Sequence, residues 1–304
     1  MIKAPPTPKG FRDILPEMAK KRRYVINTIV SVYEEFGFVP IETPTLEFAE
    51  TLKGKYGEEE KLIYEFEDRG GRKLALRYDL TVPLARFVAS NLSLIAKGPF
   101  RRYQIGQVFR GENPQKGRWR EFTQLDCDTL GSADVSEDAR VIAAAITSCR
   151  KLGLSSAQIR INDRKNFEGL SKNVVIAIDK LEKIGDEGVI AELVSKGINK
   201  DEAATLLQKV KNSKPTQDLE KIFAELKNLG ISEKEYAFDP LLARGLDYYT
   251  GSIFELRLPE YGNLSVGGGG RYDNLVGMFA KKQIPAVGFS FGLDRLLELL
   301  PNDS

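Results

Sequence analysis

Residues Phe109 to Gln124, FRGENPQKGRWREFTQ, decide how the chain is read. Six of these sixteen side chains are charged, and four of them, Arg110, Lys116, Arg118 and Arg120, are basic and gathered around a turn. Aromatic residues stand beside them at Phe109, Trp119 and Phe122. Such a stretch is either a solvated hairpin or a clamp on a phosphate. FRRYQIGQVFR leads in, Gly111 to Gly117 holds the turn, and WREFTQLDCDTLG leads out, which predicts a long hairpin. On its return strand Gln124, Asp126 and Asp128 share one face, because strand side chains alternate with period two. A surface strand accommodates three polar residues on one face, and so does a buried site that needs acceptors.

Working outward, residues 16–36 read as a helix. Val25, Ile29, Val32 and Phe36 recur at three- and four-residue steps, and Gly37 follows as a stop. Phe38 to Leu46 is extended, and Pro40 and Pro44 make it an edge or irregular strand. IYEFEDRGGRKLALRYDLT reads as a hairpin turning at Arg69-Gly70-Gly71, followed by a short helix from Thr81 to Ser90. Ser136 to Leu152 is a helix and Ala157 to Asp163 a strand. From Asn166 to Lys234 short charged helical segments are broken by Gly185, Gly197 and Gly230, and aromatic residues are few. Strand-rich runs then return before a final strand and helix, AVGFSFGLDRLLELL. Many strands returning by hairpins predict an α+β protein: an antiparallel sheet flanked by helices, with a helical insertion.

The 304 residues suffice for one large core plus an insert, or for two domains, and 42% apolar residues argue against global disorder. A net charge of +2 leaves nucleic-acid contact to local basic clusters. Two cysteines, Cys127 and Cys149, form neither a disulfide framework nor a zinc spacing, and they fit a reducing compartment. No signal peptide or membrane span is legible, so a soluble cytoplasmic protein is expected. The chain has no histidine, which removes Ser-His-Asp and Cys-His nucleophiles and histidine-held metals. Arg, Lys, Asp, Glu, Tyr and backbone groups remain, a set suited to phosphate chemistry.

Gly267 to Gly270 match no nucleotide-loop pattern, and read equally as a phosphate cradle or a flexible hairpin loop. Arg110, Arg244 and Arg295 each end an apolar strand or begin an apolar helix, in QVFR, LLAR and GLDR, where an arginine usually has an anion to hold.

In order along the chain, PKGFRDILP, the first helix with GFVPIETPTLE, FRGENPQKGRWREFTQ, RGLDYYTG, GGGGRYDNL and VGFSFGLDRL resemble the signatures of the histidyl-tRNA synthetases, a class II aminoacyl-tRNA synthetase family. The second, third and sixth are similar to class II motifs 1, 2 and 3, and RGLDYYTG is similar to the signature peculiar to the histidine enzymes. The resemblance covers almost the whole chain. It implies a class II catalytic domain over residues 1–160 and 236–304 and a helical insertion domain over 161–235. The family continues past motif 3 into an anticodon-binding domain, so that domain is expected to be absent here.

The resemblance also implies the chemistry: ATP and Mg²⁺ convert histidine to histidyl-adenylate, and histidine passes to tRNA(His). Arg110, Arg244 and Arg295 are implied as the catalytic arginines. Arg110 matches the α-phosphate ligand, Arg295 the γ-phosphate ligand, Arg118 a second phosphate contact and Glu112 an acid near the adenine. Asp79 and Gln124 match the groups holding the α-amine, and Asp128 and Tyr249 the pair on the imidazole. Tyr248 and Tyr272 line the pocket, and Arg244 reaches it from the α-phosphate side. Gln115 and Arg120 face the tRNA acceptor end, and Gln115 matches the position that reads the extra 5′ guanosine. No residue is implied as a metal ligand. Motif 1 implies a homodimer. The alternative is a paralogue of these synthetases, without the anticodon-binding domain, that serves as regulatory subunit of ATP phosphoribosyltransferase in histidine biosynthesis.

Overall fold

The computed structural model describes residues 5–115, 117–243, 248–259, 262 and 265–300. In chain order the elements are α1 (Pro16–Glu35), β1 (Val39–Pro40), β2 (Leu46–Phe48), α2 (Ala49–Leu52), β3 (Glu65–Glu67), β4 (Lys73–Leu76), α3 (Thr81–Ser90), β5 (Phe100–Phe109), β6 (Glu121–Leu130), α4 (Ser136–Lys151) and β7 (Gln158–Asp163). Then come α5 (Lys172–Asp179), α6 (Leu181–Ser195), α7 (Lys200–Lys211), α8 (Gln217–Asn228), β8 (Tyr236–Phe238), β9 (Ser252–Arg257), β10 (Gly267–Arg271), β11 (Ala286–Gly292) and α9 (Leu293–Leu299).

Eight strands form one sheet in the order β1-β5-β6-β11-β10-β9-β7-β8. Every interior pair is antiparallel, and only the two edge pairs, β1 with β5 and β7 with β8, are parallel. Pro40 sits in edge strand β1, where its missing N–H costs no ladder bond. The Phe109–Gln124 stretch is the closed end of the β5–β6 hairpin, paired from Phe100 with Leu130 to Phe109 with Glu121. The second predicted hairpin is β3–β4, which with β2 makes a separate three-stranded sheet.

The alternation along the strands separates two chemistries. One transverse row carries Tyr103, Cys127, Phe289, Gly269, Phe254 and Ile161, and the next apolar row Ile105, Leu125, Phe291, Gly267, Leu256 and Ile159. This face packs on α1 through Val25, Ile29 and Val32, and on α4, α8 and α9, in one core. Pro16 opens α1 where the first-turn N–H would be unpaired anyway. α4 carries Glu137 and Asp138 in its first turn and Arg150 and Lys151 in its last, as the helix dipole favours.

The four helices α5 to α8 follow β7, and their apolar faces divide. Leu219, Ile222 and Leu226 of α8 join the core beneath the sheet, whereas Val174, Val189, Leu193, Leu207 and Val210 of α5, α6 and α7 join a second core with α3 and the tyrosines of the other face. Residues 161–163 lie inside β7, so the inserted helices begin after that strand.

Gly267 to Gly270 is neither a hairpin loop nor a turn. It is the body of β10, in the middle of the sheet between β9 and β11. Glycine belongs there for a packing reason: a Cβ on Gly269 would collide with the Gly288 carbonyl, and one on Gly270 with Ser252 backbone and the Tyr249 ring.

Candidate active site

The other face of the sheet is polar. One row runs Arg102, Asp128, Gly288, Gly270, Ile253, Asn162, and the next runs Gln104, Asp126, Ser290, Gly268, Glu255, Arg160. Two adjoining cavities of about 370 and 260 Å³ lie over this face and share Glu59, Arg110, Arg118, Gln124, Gly268 and Ser290, so they form one bent cleft. Asp79, Asp126, Asp128, Tyr248, Tyr249 and Tyr272 line its first arm, and Glu112, Trp119, Phe122, Ser265 and Arg295 its second.

The first arm is rich in acceptors. Asp79 is buried; its Oδ1 accepts from the Tyr56 hydroxyl and the Val82 N–H, each at 3.0 Å, while its Oδ2 has no partner. Gln124 donates through Nε2 to Ser290 Oγ at 2.7 Å, leaving Oε1 unpartnered. Asp128 Oδ1 accepts from the Tyr272 hydroxyl at 2.5 Å. Its Oδ2 lies 2.7 Å from a terminal nitrogen of Arg102, close enough for an ion pair but not aligned as a hydrogen bond. Burial raises the Asp128 carboxyl, with Arg102 and the Tyr272 hydroxyl opposing, and raises Asp79, with the Val82 amide and Arg110 opposing. The Tyr248 ring packs edge-on against Tyr249 at 4.9 Å and Tyr272 at 6.0 Å.

The second arm is basic. Arg110 bridges both arms. Its Nε donates to the Tyr78 carbonyl at 3.2 Å, and its guanidinium lies 4.3 Å from the Tyr78 ring centre and 5.1 Å from that of Phe122. Two rings and a carbonyl therefore fix the planar cation, with the cleft on its open side. Arg118 faces Glu112 at 3.5 Å, and Arg295 donates to the Ser265 carbonyl. Unpaired acceptors at one end and fixed guanidinium groups at the other suit a ligand with an ammonium and a polar ring at one end and phosphates at the other.

The profile of the histidyl-tRNA synthetase family matches residues 10–296. The chain belongs to the histidyl-tRNA synthetase family. A histidine–tRNA ligase of Aeropyrum pernix is 43% identical over 97% of this chain and 74% of that protein. The crystal structure of histidyl-tRNA synthetase from Nostoc sp. PCC 7120 is 32% identical with a TM-score of 0.84, covering 98% of this chain and 75% of that one. A Bacillus halodurans structure, named as an ATP phosphoribosyltransferase regulatory subunit/histidyl-tRNA synthetase, is 27% identical with a TM-score of 0.83, covering 99% of this chain and 84% of that one.

Of the residues singled out by the synthetase resemblance, Arg110, Glu112, Arg118, Arg295, Asp79, Gln124, Asp128, Tyr248, Tyr249 and Tyr272 all line the cleft. Arg244 lies outside the described residues. Gln115 and Arg120 do not line the cleft. Gln115 pairs with Arg118 across the loop tip, and Arg120 donates to the Glu112 carbonyl at 2.9 Å and, from its backbone, to the Gly10 carbonyl. Sequence reasoning passed over Arg102, Ser290 and Glu59. Arg102 had a usable signal: it lies opposite Asp128 in the predicted hairpin and therefore shares its face. Tyr248 and Tyr249 are far in sequence from Ser290 and Arg295, and the β9–β10–β11 ladder brings them to one cleft.

Proposed function

We propose that this chain activates histidine with ATP to give histidyl-adenylate and pyrophosphate, and transfers histidine to tRNA(His). The observation that carries the reading is the polarity of the bent cleft: unpartnered acceptors on Asp79, Gln124 and Asp128 at one end, and Arg110, Arg118 and Arg295 at the other. Asp79 and Gln124 take the α-ammonium, and Asp128 with Tyr249 takes the imidazole. The amino-acid carboxylate then lies toward Arg110. It is already an anion, so no general base is needed. One carboxylate oxygen forms a bond to the α-phosphorus as the bond to the bridging oxygen breaks, and pyrophosphate leaves. Arg110 faces the charge that grows on the α-phosphate, Arg244 is assigned opposite it, and Arg118 and Arg295 hold the departing phosphates. Glu112 is assigned to the adenine. In the second step a terminal ribose hydroxyl of the tRNA attacks the carbonyl carbon and AMP leaves, with Gln115 and Arg120 at the acceptor end.

Mg²⁺ supplies charge neutralisation on the triphosphate. Among the described residues no three Asp, Glu or Cys groups converge to hold a metal. Residues 161–235 are read as the insertion unit on a catalytic domain made by 1–160 and 236–304. Motif 1 supports a homodimer, and exposed Phe48 and Phe66, on either side of the half-buried Leu74 in the small sheet, offer apolar surface to such an interface. Light scattering giving a monomer would count against it. The two cysteines are free and buried, which fits a reducing cytoplasm, and no described helix is long and apolar enough to cross a membrane.

A regulatory paralogue is the second reading, favoured by the likeness to the Bacillus halodurans chain. Such a protein has no need of a phosphate-binding arm, and Arg110, Arg118 and Arg295 are all in place here. Histidine-dependent ATP–pyrophosphate exchange decides, with the other amino acids as controls. Exchange with histidine alone is expected. Histidine binding without exchange would move the assignment to the regulatory protein.

A further inference from the structure

The acceptor arm holds one carboxylate more than the preceding reading uses. Asp126 is 2% exposed, lines the cavity between Gln124 and Asp128, and has an Oδ1 without a partner. Its cross-strand neighbours on the same face are Gln104 and Ser290, both neutral. The cation that acts most strongly on it is Arg102, fully buried, whose terminal nitrogen sits 2.7 Å from Asp128. With Arg102 paired to Asp128 and the buried Arg77 bonded to the Gln107 and Thr43 carbonyls, Asp126 is a buried carboxylate without an ion pair of its own among the described residues, which is a costly arrangement away from water. One additional proton removes it.

The acceptor count leads to the same place. Asp79 Oδ2, Gln124 Oε1, Asp126 Oδ1 and Asp128 Oδ2 are all without an aligned donor. The α-ammonium of the amino acid satisfies Asp79 and Gln124. Two carboxylates of the cavity wall, Asp126 and Asp128, then remain for the ring, and a neutral imidazole has a single N–H. Tyr249 serves the bare nitrogen of a neutral ring, which leaves Asp126 without a donor: either the ring carries two N–H groups, or Asp126 itself carries the proton. The total number of protons is the same in both.

We propose that Asp126 is a further specificity-determining residue, and that Asp126 and Asp128, offset by Arg102, hold the substrate ring with one proton more than the neutral imidazole carries. This rests on the histidine reading above. It makes the site selective for a basic ring with a nitrogen on each side, and against rings that cannot accept or share that proton. Burial pushes the Asp126 carboxyl up to about 7, with Arg102 and the Ser290 hydroxyl opposing and Asp128 and Asp79 reinforcing. Asp126 also acts on Arg77 from beyond β4, and across the sheet on the buried neutral Tyr33 and Cys127. The proton is therefore available at neutral pH and must be taken up above it.

The test is calorimetric titration of the full chain with L-histidine, without ATP, from pH 6.5 to 8.5, in two buffers of different ionisation enthalpy. Wild type is expected to take up roughly half a proton or more per histidine near pH 8, and its Kd to rise about fivefold or more between pH 7 and 8.5, within the tenfold per pH unit that one linked proton allows. In Asp126→Asn the uptake is expected to fall close to zero and the Kd profile to flatten, because the amide needs no proton to donate. Histidine binding by wild type without proton uptake overturns the proposal, and so does equal uptake in a folded Asp126→Asn. Should that variant fail to fold, the wild-type uptake alone decides, with Asp126→Glu expected to retain it. Absence of histidine binding at every pH overturns the functional reading itself, and this one with it.

Discussion

Gly288 stands directly opposite Asp128 in the β6–β11 ladder, and a Cβ on Gly288 would collide with the Asp128 carboxylate. The glycine is thus what gives the acceptor its room. The oxygen a Cβ would strike, Asp128 Oδ1, is the one that accepts from the Tyr272 hydroxyl, so the carboxylate cannot give way without disturbing that bond. Gly288→Ala is expected to fold at a cost of about 1–3 kcal/mol from overpacking. Its main effect falls on substrate: histidine KM rises roughly tenfold or more, as one hydrogen bond to a charged group is worth about 1.5–3 kcal/mol. Exchange kinetics at varied histidine give the answer, and an unchanged KM would mean that Asp128 does not hold the ring.

Much of this arrangement is legible in the sequence, for identifiable reasons. Strand alternation alone puts Gln124, Asp126 and Asp128 on one face, and the helix from Pro16 follows from Val25, Ile29 and Val32. Local pattern failed at Gly267 to Gly270, since a run of glycine has no side chains to alternate. Its place as a central strand depends on what β9 and β11 bring to either side. Arg102 was missed because its partner is 26 residues away across a hairpin, and a single basic residue in a strand carries no sign that it is buried. Arg120 is anchored through its Nε to the Glu112 carbonyl, a contact within the loop that no local pattern announces.

The Arg110 guanidinium lies within cation–π distance of both Tyr78 and Phe122, and that arrangement makes a prediction about charge and shape together. Arg110→Ala is expected to reduce adenylate formation by ~10³–10⁵, the range for an arginine on a transferred phosphoryl group. Arg110→Lys restores little, because an ammonium keeps the charge and loses the planar stack and the fork. Histidine binding measured by calorimetry stays within a few fold in both, since the acceptor arm is intact. Full exchange activity in Arg110→Lys would show that a point charge suffices.

Glu137 predicts part of the acid limb of stability. Burial raises its carboxyl, but hydrogen bonds from Arg101, the charges of Arg101 and Arg140, and Thr129 together bring it below its ordinary value. A depressed carboxylate contributes stability that is fully present above the unfolded pKa, near 4.3, and is lost as pH falls through the lower folded value. Urea midpoints of wild type therefore fall more steeply between about pH 4.5 and 3 than those of Glu137→Gln. At pH 7 the variant is the less stable of the two. Parallel acid limbs would mean that the Arg101 pair forms equally in the unfolded chain.

Asp294 ties the beginning of the chain to its end. It accepts from Arg12 and, at 2.6 Å, from Arg22, and Arg22 also donates to Thr123 Oγ1 at 2.7 Å. The carboxylate is 6% exposed, so removing it leaves the part-buried Arg22 without its anionic partner. Asp294→Ala is expected to cost about 3 kcal/mol, the low end for breaking a buried pair, because Arg12 keeps 31% of its side chain in water. Glu17→Ala, at an ion pair exposed on both sides, is the control and should change stability by under about 0.5 kcal/mol. The positions of the partners give the prediction its functional edge. Thr123 adjoins Gln124 in β6 and Asp294 adjoins Arg295 in α9, so loosening this cluster reaches both arms of the cleft. Exchange activity of Asp294→Ala is therefore expected to fall at temperatures where circular dichroism still reports a folded chain. Activity and fold lost together would reduce Asp294 to a structural residue.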